Sequence, residues 1–133
     1  MRRVVVTGLG MVAPTGIGVR VAWETAVAGK TAVRKITRFD TSGLPVAIAA
    51  DVEGFDGSPL LGAKTARQAS RFVQFSAVAA DEALRDAGYE AGMMGRYCGC
   101  LIGVGIGGFG EIAQSAVVLH EHGYSRVSPL TLP

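Results

Sequence analysis

The sequence predicts an α/β fold on three observations: an unbroken β-branched run at Val4-Val5-Val6, a period-two stretch from Val46 to Val52, and helical periodicities between and after them. Strand and helix signals alternate without an internal repeat or a linker, the order of a parallel sheet covered by helices. With 133 residues and 49% hydrophobic content, the chain can bury one modest core. Residues 1–133 are therefore treated as one domain or part of one.

Val4–Val6 ends at Thr7-Gly8 and suits a strand buried on both faces. Gly8-Leu9-Gly10 turns, and Pro14 and Gly16 keep the chain looping before any helix begins. Val19, Ala22, Trp23, Ala26 and Val27 recur at i, i+3, i+4, i+7 and i+8, an amphipathic helix that Gly29 is placed to end. Further on, Val46, Ile48, Ala50 and Val52 point one way and Ala47, Ala49 and Asp51 the other, as in a half-buried strand.

The longest helix is predicted from Thr65 to Ala87, closed by Gly88. Its apolar arc includes Phe72, Phe75, Val78, Ala79, Ala83 and Ala87, against a polar edge of Gln74, Asp81 and Arg85, so it expects cover on more than one side. Cys98 to Val104 reads as another buried strand, leading through the glycine-rich Gly103–Gly110 into a helix marked by Phe109, Ile112, Ala113, Ala116, Val117 and His120. After Gly123 the chain becomes irregular through Ser128-Pro129-Leu130-Thr131-Leu132-Pro133. Two or three short strands cannot cover so many apolar faces, and the chain is expected to be unfinished.

A formal net charge of +2 is too small to imply a nucleic-acid surface. The two cysteines, Cys98 and Cys100, are too close for an ordinary disulfide and too few for a zinc site, which fits a reducing compartment. Arg2-Arg3 precede only three valines, which is no secretory signal, and nothing approaches the ~20 apolar residues that span a bilayer. No membrane association is expected, and the predicted location is cytoplasmic, or an organelle if a transit peptide has been lost.

Five motifs invite chemistry. Gly8, Gly10 and Ala13 fit the letters of a dinucleotide fingerprint, which would make the protein an NAD(P)-binding oxidoreductase. That motif must lead straight into a helix, and Pro14 followed by Thr15-Gly16-Ile17-Gly18 opposes it. The loop Gly103–Gly110 has no lysine and no phosphate-loop signature. It reads either as close packing at a strand-to-helix turn or as a loop shaping an apolar pocket, with Ile106 the large side chain among glycines.

Cys98 and Cys100 would share one face of a strand, with neither a helix N-terminus nor a histidine to activate a thiol, and are expected to be buried small hydrophobes. His120-Glu121-His122 is not a zinc motif and reads as a solvated helix end. On composition alone Lys64, Arg67, Arg71 and Arg126 are ordinary surface charges. No metal site and no cofactor are predicted.

Arg3-Val4-Val5-Val6-Thr7-Gly8-Leu9-Gly10-Met11, with Pro14 and Gly16, resembles the opening of the β-ketoacyl-(acyl-carrier-protein) synthase II family. Trp23, Ala28-Gly29, Phe39-Asp40-Thr41-Ser42, Phe72-x-Gln74-Phe75, Ile106-Gly107-Gly108 and Ser128-Pro129 continue in the same order and register. The resemblance runs over the whole chain and covers about the first third of a typical member. It implies the thiolase-like fold, here the incomplete N-terminal portion of the first α/β half.

It also implies an elongating condensing enzyme of fatty-acid synthesis. An acyl group passes from carrier protein to a cysteine, and a decarboxylated malonyl thioester then attacks it. Members work as homodimers and dock acyl carrier protein. The nucleophilic cysteine and both histidines of the family come after the Ser-Pro loop, so no catalytic residue is assigned here and the chain alone is expected to be inactive.

Carried over by resemblance are Ile106 as gate of the acyl pocket, within the loop of Gly105, Gly107 and Gly108, and Lys64, Arg67 and Arg126 as carrier-docking residues. Gln68 stands where members often have a further basic residue, and Ser70 replaces a common aspartate. A polyketide ketosynthase shares these motifs, and a relative that binds carrier protein without catalysis is a further alternative. On this identification Val4–Val6 belongs inside a helix-covered sheet and Ile106 beside an apolar cleft.

Overall fold

The computed structural model describes residues 3–90 and 92–129. Leu130–Pro133, at the end of the irregular stretch, lie outside them. The chain divides into two compact units, one of Met1–Asp56 with Val78–Met94 and the other of Gly57–Ala77 with Gly95–Pro133.

In the first unit, a tight hairpin precedes one short helix and a long-looped antiparallel pair follows it. Strands β1 (Val12–Ala13) and β2 (Gly16–Ile17) pair antiparallel across Pro14-Thr15. Helix α1 (Val19–Val27) follows at once and buries Ala22, the centre of the predicted stripe. It stops as the glycine signal foretold. Gly29 takes φ 65°, its N–H donates to the Ala26 carbonyl, and the Lys30 N–H donates to that of Thr25, which satisfies the last carbonyls of the helix.

Strands β3 (Val33–Lys35) and β4 (Ile48–Ala50) form the second pair, with Val33 opposite Ala50 and Lys35 opposite Ile48. Between them, Asp40 accepts hydrogen bonds from the Ser42 hydroxyl at 2.7 Å and the Ser42 N–H at 2.9 Å. These bonds hold the Asp40 carboxyl below the usual carboxylate range.

The period-two reading of 46–52 holds, but the covered face is reversed. Ala47, Ala49 and Asp51 are half-buried, whereas Val46 and Ile48 are 58% and 57% exposed. Only Val52 at the end of the apolar set is buried. Alternation fixes which residues share a face and leaves open which face finds cover.

Val4–Val6 is not a strand here. The three valines are 95%, 74% and 80% exposed, and the described sheets are two antiparallel pairs rather than a parallel sheet. Cys98 to Val104 is likewise irregular and exposed. A β-branched run becomes a buried strand only when neighbouring strands accept its hydrogen bonds and side chains cover both faces. Among the described residues neither run has such neighbours.

In the second unit, the predicted helix 65–87 is divided. Helices α2 (Ser58–Leu61) and α3 (Ala63–Gln68) precede α4 (Arg71–Asp86), whose first turns belong to this unit and whose later turns belong to the other. Ala69 is extended, with φ −81° and ψ 133°, and breaks the hydrogen-bond ladder. Gln74 bridges the break: its Nε2 donates to the carbonyls of Ala66 and Ala69 at 2.8 and 2.9 Å. Ser70 is buried at the break, and its hydroxyl has no partner among the described residues.

Gln74→Leu is expected to lower stability by about 2 kcal/mol by stranding those half-buried carbonyls. A shift in the urea midpoint at unchanged slope would show it, and an unchanged midpoint would refute the bridging role. Helix α5 (Phe109–His122) confirms the last periodicity and ends at Gly123, and Tyr124–Arg126 makes one 3-10 turn beyond it.

Across the described residues, Ala22 and Val52 are the buried apolar side chains, at 2% and 8% exposure. Trp23, Tyr97, Leu101, Phe109 and Tyr124 are each more than half exposed.

Candidate functional site

In the first unit Gly8–Gly10, which makes no turn despite the expectation, packs against the later turns of α4. A Cβ on Gly8 would collide with the Ala83 carbonyl and lie 2.7 Å from the Ala87 nitrogen; one on Gly10 would collide with the Ala79 carbonyl and lie 2.8 Å from the Ala83 nitrogen. Ala79, Ala83 and Ala87 recur every four residues and form a smooth stripe on which the glycine backbone lies.

Two carboxylates one turn apart fix that contact. Asp86 Oδ2 accepts the Leu9 N–H at 2.9 Å, and Glu82 Oε2 accepts the Met11 N–H at 2.9 Å. Glu82 Oε1 also accepts the N–H of Val19 at 2.8 Å. Val19 opens α1, and its N-cap Gly18 has no side chain, so Glu82 supplies the cap from another helix.

These amides are the donors a dinucleotide phosphate would need, and they already serve carboxylates. A hairpin also stands between the glycines and α1. The glycine fingerprint is therefore a packing device. Sequence reasoning missed Glu82 and Asp86; the available signal was their spacing, which places them beside the small-residue stripe of the same helix.

Every predicted site residue falls in the second unit. Phe72, in the first turn of α4, lies against Gly107: a Cβ there would be 2.8 Å from Phe72 Cζ and 3.0 Å from Cε1. Gly108 has φ 72° and forms the N-cap of α5, a left-handed conformation that glycine adopts without strain. Close packing at a turn, one of the two readings of this loop, is thus present. Ile106 is 73% exposed, and Gly105 beside it is exposed as well, so the apolar cleft expected around Ile106 is not closed here. Its glycine neighbours have no side chains with which to wall one.

Lys64 and Arg67 stand exposed on α3, with Arg67 Nε donating to the Ala63 carbonyl at 3.0 Å. Arg67 lines an open cleft with Gln68, Glu111, Gln114 and Ser115. Arg126, also exposed, lines a separate cleft with Val118 and His122. Arg71 is not a free surface charge, since its guanidinium lies 5.0 Å over the Phe75 ring.

Cys98 and Cys100 are free and exposed rather than buried, because the strand that was to bury them does not form. His122 lies 3.8 Å from Glu121 at the exposed end of α5. No group of metal-ligating side chains is present among the described residues, and none of their helices is long and apolar enough to cross a membrane.

The mixed helix-and-strand arrangement, with glycine segments set against helices, is that of an α/β protein. Residues 1–133 match the model of the β-ketoacyl synthase N-terminal domain along their whole length, and the chain belongs to that family.

Among its relatives, 3-oxoacyl-[acyl-carrier-protein] synthase 2 of Coxiella burnetii is 41% identical over 133 residues, which are 99% of this chain and 32% of the relative. The protein of the same name from Rhizobium meliloti is 39% identical over 142 residues, 100% of this chain and 34% of the relative. That of Vibrio cholerae is 38% identical over 133 residues, again 99% and 32%. The chain thus spans about a third of the length of the curated relatives it matches.

Proposed function

We propose that this chain is the N-terminal part of a 3-oxoacyl-(acyl-carrier-protein) synthase that condenses acyl and malonyl thioesters in fatty-acid elongation. The observation that carries the reading is the collinear match of all 133 residues to one family, with identities near 40% to relatives bearing that enzyme name. The partner is acyl carrier protein, and the scaffold is the first portion of a thiolase-like fold that works as a homodimer.

The exposed β-branched run at Val4–Val6 and the exposed apolar stretch 98–104 fit this proposal. Each would gain pairing and cover from sheet strands and helices contributed by the rest of such an enzyme. Burying a valine fully is worth about 1.5–3 kcal/mol, so the drive toward that partner structure is large. In the same setting Ile106 would meet the acyl chain, with Gly105, Gly107 and Gly108 giving its loop room to approach Phe72.

Lys64, Arg67 and Arg126 supply positive charge for an acidic carrier. In the full-length protein, acyl- and malonyl-carrier substrates should yield a 3-oxoacyl product and carbon dioxide; the 133-residue chain alone should yield none. Reversing Lys64, Arg67 and Arg126 to glutamate should weaken carrier binding about tenfold or more at low salt, with the difference shrinking as salt rises. Unchanged affinity in the triple variant would remove the docking assignment, and product formation by the isolated chain would remove the larger one.

A further inference from the structure

Helix α5 begins with an acidic residue that the docking surface described above leaves unused. Glu111 is the third residue after the N-cap Gly108, and its Oε2 lies 3.7 Å from where a Cβ on that glycine would stand. A carboxylate suits the positive end of the helix dipole, which explains its local fit.

The same exposed side chain also lines the 410 Å³ cleft that contains Arg67, with the neutral Gln68 and Gln114 as further walls. No ion pair joins Glu111 to Arg67 among the described residues. The cleft therefore presents a cation and an anion that do not neutralise each other by contact. An acidic partner attracted by the first must come within the screening distance of the second, about 10 Å at moderate salt.

We propose that Glu111 is a specificity-determining residue of the carrier-docking surface, a fixed negative charge that opposes the pull of Arg67 and limits how tightly an acidic carrier protein is held. The inference rests on the docking reading above and adds to it a repulsive element. Such an element speeds release after each transfer and penalises partners more acidic than the proper one.

The test uses the full-length protein and unacylated carrier protein, with affinity and dissociation rate measured at low and high salt. Glu111→Gln should tighten binding about threefold at low salt and Glu111→Lys about tenfold, mainly through slower dissociation, with both gains lost at high salt. Glu111→Asp keeps the charge and the helix end and should bind like the parent. Should Glu111→Gln disturb α5, Glu111→Ser keeps an oxygen at the helix start and carries the same expectation. If the neutral variants bind no tighter while Arg67→Glu still weakens binding, the brake is refuted and the docking surface stands. If reversal of Lys64, Arg67 and Arg126 changes nothing, the docking reading itself has failed.

Discussion

Gly10→Ala is expected to destabilise the first unit by about 3 kcal/mol. The added methyl has nowhere to go, because what it meets is helix backbone: the Ala79 carbonyl, and the Ala83 nitrogen at 2.8 Å. A flexible side chain could swing aside at small cost, whereas a helix must move as a body and drag its hydrogen bonds with it. Gly29→Ala is the matched control. Its φ of 65° disfavours alanine, but nothing lies within 4 Å, so the cost should be that of the left-handed backbone alone, about 1–2 kcal/mol. Urea midpoints of the two variants decide the matter, and equal losses would show that the contact with α4 contributes nothing.

Glu82→Ala should cost about 2–3 kcal/mol, because one carboxylate serves two distant amides and its removal leaves both without an acceptor. Faster hydrogen exchange at Met11 and Val19 should accompany the loss, which a general softening of α4 would not confine to those positions. Glu24→Ala offers the contrast. Glu24 pairs with Arg20 within α1, with both side chains well exposed, and its removal should cost less than about 0.5 kcal/mol. A result in which the two glutamates cost the same would overturn the capping role of Glu82.

Helix ends set by nearby residues are legible in the sequence, whereas features that depend on distant residues are not. The stop of α1 at Gly29 is contained within a dozen residues, and every hydrogen bond that ends the helix lies inside them. The same holds at Gly88, where the Tyr89 N–H reaches the Leu84 carbonyl. Trp23, Ala26 and Val27 of the predicted α1 stripe, by contrast, stand exposed. The break at Ala69 was invisible because helical periodicity continues through it, and the Gln74 amide that makes the break tolerable looks from the sequence like one more polar residue on a helix edge.

Val4–Val6 illustrates the opposite failure. Its composition states a preference for burial, but burial is granted by residues elsewhere, and no pattern within the run reveals whether they are at hand. Among the site residues, Gly107 and Gly108 were legible as glycines with a steric purpose, though Phe72 as the neighbour was not. The basic positions became a surface with a meaning only through family membership, since exposed lysines and arginines look alike in any sequence. Glu111 escaped notice because a glutamate in a first helical turn already has an ordinary explanation.

The hydrogen bond from Leu9 to Asp86 spans 77 residues, and that separation sets a schedule. A ribosome extends a chain by roughly 5–20 residues each second, so Leu9 leaves the exit tunnel about 4–15 s before the helix that clasps it does. Until then the amides of Leu9 and Met11 have only water as acceptor. The clasp is thus among the later contacts that the first unit can make during synthesis.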